Sequence, residues 1–335
     1  MDLRLQRIQT SCGALCDTRR PTRGDCNFRA QCIGHTTAPV DCGWLLADGT
    51  GLDAQREQAI APREPPARWH DEFTMHGRYP VRPMYRDDPS EARVGHAVGG
   101  NATVASPDWD EARINSMAEH AARGTMWPRY NQLNRALIRG MRHANLTNKR
   151  VLVIGSTSPW VEAICLAAGA AQVVTLEYAR IVTNHPLVTT LVPAEFLARA
   201  RRGALPRFDR VVTASSVEHS GLGRYGDALN PWGDIIAIAR AWCVSAEDAR
   251  LVIAVPTAFN GKATEAETDA EAEHLGTDRL KFNAGRTYGP VRYPYLVTNW
   301  RFDHRVPTDA IRPSWGQTVY VFRRAAAPSR SRSAG

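Results

Sequence analysis

The stretch from Phe208 to Val255 constrains this chain most, because it reads as strand, polar loop, helix and strand without a break. Val211 and Val212 run directly into Ser215, Ser216, Glu218 and His219. Polar groups therefore arrive where a buried parallel strand ends, and in open α/β sheets ligands bind outside those carboxyl ends. The loop goes on to supply Arg224, Tyr225, Asp227 and Asn230 before Pro231. Asn230 has the side chain of an N-cap, and proline suits the first helical position, where its missing N–H leaves nothing unpaired. The spacing predicts a helix from Pro231 and one half of an active-site mouth before it.

A second unit of the same kind begins at Lys149. Val151 to Ile154 is a short apolar run of the sort buried on both faces of a parallel sheet. Gly155, Ser156, Thr157 and Ser158 form a turn, and Pro159 opens a helix with Val161, Ile164, Cys165 and Ala168 on its apolar face. Gly169 ends that helix, and Gln172 to Leu176 is the next strand, closed by Glu177. A dinucleotide fold needs G-x-G-x-x-G to bring backbone against a pyrophosphate. Here the second and third positions are Thr157 and Trp160, which disfavours NAD or FAD. S-adenosylmethionine carries no phosphate. One close-approach glycine, the hydroxyls of Ser156, Thr157 and Ser158 and a helix N-terminus could hold its carboxylate, with Glu177 accepting from the ribose hydroxyls.

The remaining segments fit around these two units. Trp109, Ile114, Met117 and Ala121 share a helical face with Asp108 as the expected N-cap, and Tyr130, Leu133, Leu137 and Met141 share another. Tyr178 to Asn184 leaves room for a short helix, Leu187 to Pro193 is strand-like, and Glu195 caps a helix ending in Arg199, Arg201 and Arg202. The acidic run from Glu265 to His274 reads as a solvated helix or lid. Asn283, Arg286 and Tyr288 are expected in a loop facing the same crevice as Glu218 and His219. Gln317 to Arg323 closes the chain as an alternating strand, so the last pairing is an antiparallel hairpin. The expected fold is α/β and Rossmann-like: a mostly parallel seven-stranded sheet with a final antiparallel hairpin and helices on both faces.

Residues 1–106 are poor in apolar period and rich in cysteine, proline and arginine, and read as a partly disordered extension; 107–324 form the α/β domain and 325–335 a disordered basic tail. The extension holds five of the seven cysteines, Cys12, Cys16, Cys26, Cys32 and Cys42. Their spacing lacks paired C-x-x-C motifs, so no metal site is assigned, and their odd number points to reduced thiols. Hydrophobic residues make up 43% of the chain and charged ones 23%, enough for a full core. The net charge of +8 is scattered and lacks nucleic-acid-binding motifs, so no nucleic-acid partner is expected. No apolar run reaches the length of a membrane span and no signal peptide is visible. Cytoplasm is the default location, with organellar targeting left open.

Three runs, GSTSPWVEA, SSVEHSGLGRYGDALNPWGD and FNAGRTYGPVRYPYL, resemble the family named "Caenorhabditis protein of unknown function". The resemblance covers roughly Trp109 to Phe322. It implies the fold of class I S-adenosylmethionine-dependent methyltransferases and S-adenosylmethionine as cofactor; beyond that family, the order strand, SSVEH, helix and strand resembles the general small-molecule methyltransferases, where a Glu-His pair often follows the fourth strand. Cofactor-binding positions would be Gly155, Ser156, Thr157, Ser158, Glu177, Ser215 and Ser216. The second glycine of the usual first loop is absent, and Ser245, Ala246, Glu247 and Asp248 replace the common Pro-Gly-Gly turn. Methyl transfer to a hydroxyl needs a base within reach of the acceptor's proton. Histidine's ordinary pKa lies near neutrality, so His219 is the candidate base, with Glu218 orienting it. Arg224, Tyr225, Asp227, Asn230, Asn283, Arg286 and Tyr288 are the candidate contacts to a small-molecule or glycan acceptor. Two other readings stand beside this one: a noncatalytic binding protein on the same fold, and an NAD-dependent α/β enzyme.

Overall fold

The computed structural model describes residues 2–19, 36–47, 50–54, 61–82, 84–85, 103–104, 109–125, 131–258, 278–306 and 317–326. The principal strands are Arg150–Ile154 (β1), Gln172–Leu176 (β2), Val188–Leu191 (β3), Phe208–Ala214 (β4), Ser245–Pro256 (β5), Trp300–Val306 (β6) and Gln317–Arg324 (β7). They form one seven-stranded sheet in the order β6-β7-β5-β4-β1-β2-β3. β1 lies parallel to both β2 and β4, β2 to β3, and β4 to β5. β7 runs antiparallel to β5 and β6. This is the Rossmann-like class I methyltransferase fold, with the antiparallel hairpin where the sequence places it.

The longer helices are Leu3–Cys12 (α1), Glu111–Ala122 (α2), Asn131–Ala144 (α3), Trp160–Ala167 (α4), Pro193–Arg201 (α5) and Gly233–Val244 (α6). Successive strand side chains point to opposite faces, and the core divides accordingly. Val151, Val153, Val212, Ala214, Val252, Ala254, Val319 and Val321 cluster with residues of α2, α3 and α4. Leu152, Ile154, Val211, Leu251, Ile253, Val255, Tyr320 and Phe322 cluster with α5 and α6. Truncating a side chain as buried as Ile253 or Phe322 to alanine costs about 2–5 kcal/mol.

The N-terminal segment belongs to that second face. Leu5, Ile8, Leu15, Leu45, Trp69, Phe73, Met75 and Tyr79 are buried in the same cluster as α6. Trp69 meets Trp232 edge-on at 6.2 Å, and the Tyr79 hydroxyl donates to the Thr287 carbonyl at 3.2 Å. Cys42 is disulfide-bonded to Cys243 in α6, with Cα atoms 5.5 Å apart, and Cys12 to Cys16. The expectation of reduced thiols is corrected here: among the described residues only Cys165 is free, and it is buried. Spacing along the chain could not show that the fold sets Cys42 beside Cys243. Next to that bond, Arg240 holds Asp53 through two hydrogen bonds of 2.5 and 2.7 Å.

Several local expectations change. Asp110 caps α2, accepting from the Arg113 N–H at 2.7 Å; Asp108 lies outside the described residues. α6 begins at Gly233 instead of Pro231, because Asn230 Oδ1 accepts from the Trp232 N–H at 3.0 Å and closes a turn first. Gly233 then packs on the backbone of Ser220 and Gly221, where a Cβ would come within 2.8 Å. The stretch expected as a short helix holds a two-residue strand, Arg180–Ile181, paired with Thr103–Val104. Asn283 and Arg286 sit in a hairpin, Arg279–Lys281 against Gly285–Thr287, whose first strand also pairs with Val81–Arg82. Ala325, placed in the tail by the sequence reading, bonds to Asn299 and Trp242; residues 327–335 lie outside the described residues. The acidic run from Glu265 to His274 lies outside the described residues. Among the described residues no helix is long and apolar enough to cross a membrane.

Candidate functional site

The connections from β1 and β4 leave toward opposite faces, through α4 to β2 and through α6 to β5. That reversal opens a crevice at the carboxyl ends of β1 and β4, the usual ligand position in such sheets. Gly155 follows β1 at φ 70°. A Cβ there would lie 1.7 Å from Ser216 Oγ and 3.9 Å from Glu177 Oε2, so the loops after β1, β2 and β4 meet at this residue. Only glycine fits, both for the close approach and for the left-handed backbone.

Glu177 is half-buried at the tip of β2. Its Oε2 accepts from the Ser156 N–H at 2.8 Å and its Oε1 from the Tyr178 N–H at 2.7 Å. Burial raises its pKa, the N–H groups of Ser156, Tyr178 and Ala179 oppose that rise, and the Asp227 charge adds to it. A carboxylate has about four acceptor positions, so these three N–H groups leave room for about one further donor. Ser156 turns its hydroxyl inward, 2.7 Å from the Ser158 carbonyl and 2.9 Å from Glu162 Oε2. Thr175 donates to the other Glu162 oxygen at 2.7 Å. Glu162, wholly buried in the first turn of α4, is raised to about 7 by desolvation against these hydrogen bonds. Thr157 is exposed and Ser158 half-buried, so theirs are the hydroxyls that face outward from this turn.

Across the crevice, Ser215 ends β4 in the left-handed region at φ 52°. Its hydroxyl donates to Glu218 Oε1 at 3.1 Å and accepts from Gln317 Nε2 at 3.0 Å. Glu218 is 2% exposed, and its Oε2 has no hydrogen-bond partner among the described residues. Desolvation raises its pKa to about 7, opposed by its own N–H, Ser215, the Arg224 charge and the Ser216 N–H. His219 Nδ1 lies 2.8 Å from the Ala284 carbonyl. A carbonyl only accepts, so this shorter contact favours the tautomer with the proton on Nδ1, over the Arg224 Nη1 donor 3.4 Å from the same nitrogen; Nε2 lies 3.8 Å from Glu218 Oε1. Arg224 donates to the same carbonyl at 2.8 Å. The Tyr225 ring stands edge-on to His219 at 5.4 Å, with the Arg224 guanidinium 5.1 Å from its centre. Gly285 lets this hairpin close on the dyad, since a Cβ there would lie 3.2 Å from the His219 ring.

The other candidate contacts are placed differently. Asp227 accepts from the N–H groups of Gly221 at 2.6 Å, Gly223 at 3.4 Å and Tyr225 at 3.3 Å, and so staples its own loop. Asn230 closes the turn before α6. Asn283 is buried at φ 67° in the hairpin turn. Arg286 and Tyr288 are buried around Asp234 instead of facing the crevice. The Tyr288 hydroxyl donates to Asp234 Oδ2 at 3.0 Å, and Arg286 Nε lies 3.6 Å from the same oxygen. Arg292 binds both Asp234 oxygens, at 2.9 and 2.6 Å. Sequence reasoning missed Asp234, Arg292, Glu162 and the backbone role of Ala284. A usable signal existed for the first pair: an acid and a base inside apolar runs, PWGD and VRYPY, cannot be buried singly.

Fold and crevice together define a class I methyltransferase-like α/β domain. Residues 148–265 match the family described as "Caenorhabditis protein of unknown function, DUF268". That segment contains the first two of the three runs that resemble it, while the third lies beyond. No curated protein matches the chain. Among solved structures it is similar to the 1,6-didemethyltoxoflavin-N1-methyltransferase of Burkholderia thailandensis, crystallised with 1,6-didemethyltoxoflavin and S-adenosylhomocysteine. The two are 15% identical over 74% of this chain and 94% of that one, with a TM-score of 0.41. It is also similar to an N-methyltransferase from Bradyrhizobium japonicum WM9, 14% identical over 59% of this chain and 95% of that one, TM-score 0.34.

Proposed function

We propose that this protein is an S-adenosylmethionine-dependent methyltransferase acting on a hydroxyl of a small-molecule or glycan acceptor. The observation that supports it most is the convergence at the β1/β4 crevice, where the Cβ position of Gly155 lies within 4 Å of both Ser216 Oγ and Glu177 Oε2. Glu177 has an acceptor position left for a ribose hydroxyl, and Thr157 and Ser158 stand where α4 presents its N-terminus, suited to a carboxylate. Glu177, Glu218 and Asp227 are all raised by burial, so a cation bound among them would offset part of that cost. When bound, S-adenosylmethionine supplies an electrophilic methyl group on a sulfonium. The residues of this chain position the acceptor and handle its proton. His219 Nε2 takes up the proton that the acceptor hydroxyl loses; the bond from Nδ1 to Ala284 holds the ring, and Glu218 stabilises the imidazolium from 3.8 Å. Arg224 and Tyr225 are the acceptor contacts in this reading. Asp227, Asn230, Asn283, Arg286 and Tyr288 act on loop shape and stability. The two disulfides favour an oxidising environment over the reducing cytoplasm as the working location.

Calorimetric titration of the full chain with S-adenosylmethionine and S-adenosylhomocysteine, with NAD as control, tests the assignment. Saturable binding of the first two, lost in Glu177→Ala and weakened in Glu177→Gln, supports it. His219→Ala should then keep cofactor binding and lose turnover on hydroxylated acceptors. Binding of neither compound would leave a noncatalytic scaffold, and binding of NAD alone a different α/β enzyme.

A further inference from the structure

Because β7 is antiparallel, its first residue lies at the rim where the parallel strands end: Gln317 pairs with Pro256, the last residue of β5. Its side chain reaches Ser215, which is pinned from a second side by its N–H on the Ala254 carbonyl at 2.9 Å. Nothing in the sequence marks Gln317 as more than the start of a strand. We propose that Gln317 is a positioning residue, which acts through the Ser215 hydroxyl to fix and charge-stabilise the Glu218 carboxylate.

The direction of the chain follows from hydrogen-bond chemistry. An ionised carboxylate only accepts, so the single Ser215 proton goes to Glu218 Oε1, and Ser215 Oγ can then only accept from Gln317. The amide must therefore present its nitrogen at 3.0 Å, which leaves Gln317 Oε1 buried without a partner among the described residues. Ser215 also holds a left-handed backbone that is unfavourable for a residue with a side chain. An orphaned acceptor and a strained serine at one point indicate that the surroundings over-determine this arrangement. The other charged groups facing Glu218 are His219, with Nε2 at 3.8 Å, Arg224 in the following loop, and Arg286, whose Nη1 lies 3.4 Å from the Glu218 carbonyl. When Glu218 takes a proton, its bond to Ser215 loses the charge assistance and becomes a neutral one, which is weaker. The Gln317–Ser215 pair therefore favours the ionised acid.

The role assigned to Glu218 rests on the proposed function, but the hydrogen-bond chain can be tested without it. Full-length protein carrying 13C-labelled glutamate carboxyls is titrated by NMR, with the Glu218 signal assigned from Glu218→Gln. Gln317→Met keeps the side-chain length and removes the donor; it should move the Glu218 midpoint up by about half a pH unit or more. Ser215→Gly, which suits the left-handed backbone, should move it at least as far. The double variant should go no further than Ser215→Gly alone, because the only path runs through Ser215. Gln317→Leu provides the same comparison if the methionine variant folds poorly. An unmoved midpoint in both Gln317 variants, or shifts that add in the double variant, would overturn the proposal. No step requires bound cofactor, so failure of S-adenosylmethionine to bind would leave this result standing.

Discussion

Replacing Asp234 with asparagine tests the buried charge cluster under the site. The change keeps the side-chain shape and removes the negative charge facing Arg292 at 2.9 and 2.6 Å and Arg286 at 3.6 Å. All three residues are at most 2% exposed, so two buried guanidinium groups would lose the carboxylate they contact, with Asp278 left to act on Arg292. Breaking a buried pair by removing one partner costs about 3–5 kcal/mol. Asp303 is the internal control. It meets Arg323 at 2.7 Å, His143 at 3.1 Å and Arg250 at 3.6 Å, partners far more open to solvent. Asp303→Asn should therefore cost about 1 kcal/mol or less. The assay is urea unfolding followed by tryptophan fluorescence. Its pH dependence has a definite sign: burial raises the Asp234 pKa, but Arg286 and Arg292 outweigh it and hold the group below its ordinary value of 3.8. The contribution is fully present above 3.8 and is lost as pH falls below it. The gap between wild type and Asp234→Asn should hold from about pH 5 to 8 and close only in acid. A cost no larger than that of Asp303→Asn would refute the cluster as described.

Three further outcomes are expected. Gly155→Ala should abolish cofactor binding, because the new Cβ would fall 1.7 Å from Ser216 Oγ; adding Ser216→Gly should restore stability except for the left-handed strain of about 1–2 kcal/mol, as thermal unfolding can measure. Glu162→Gln should stabilise the protein at pH 8 and leave it unchanged near pH 4. The buried acid keeps its proton to about 7 when folded but loses it earlier when unfolded, so wild-type stability falls by roughly 3 kcal/mol across that interval. Opening the Cys42–Cys243 bond, which spans 201 positions, should lower stability by about 5 kcal/mol on the chain-entropy estimate; differential scanning calorimetry of Cys42→Ser with Cys243→Ser checks it.

The strands around the crevice were legible because each is a short apolar run with a polar residue at its end. Glu177, Ser215, Glu218 and His219 all follow such runs, and the fold brings the loops that carry them to one rim. What stayed hidden depends on pairing between distant segments. Arg286 and Tyr288 look like ligand contacts in a polar stretch, and only the neighbourhood of Asp234 shows that one faces a buried acid with its charge and the other with a hydrogen bond. Cys42 has a partner 201 positions away, which no spacing rule reaches. Gln317 is one more polar residue opening a strand until antiparallel pairing carries it to the active rim.

The same distant pairing bears on where the functional unit begins. Read from periodicity, it starts near residue 107, yet the segment before it grips the loop that carries Arg224 to Asn230. The Ala54 carbonyl accepts from the Ala228 N–H at 3.0 Å, and Arg4 donates to the carbonyls of Gly51 and Leu229. Removing residues 1–106 would also strip Leu5, Ile8, Leu15, Leu45, Trp69, Phe73, Met75 and Tyr79 from the face that covers α6. Burying one such side chain is worth about 1.5–3 kcal/mol, so their combined loss, about 12–24 kcal/mol, is as large as or larger than the 5–15 kcal/mol by which a typical domain is stable. A chain of residues 107–335 is therefore expected to bind 1-anilinonaphthalene-8-sulfonate, lose near-ultraviolet circular dichroism and unfold without cooperativity, as loosely packed states do. If it instead unfolds cooperatively and binds the same ligands as the full chain, the N-terminal segment is an accessory and the core closes without it.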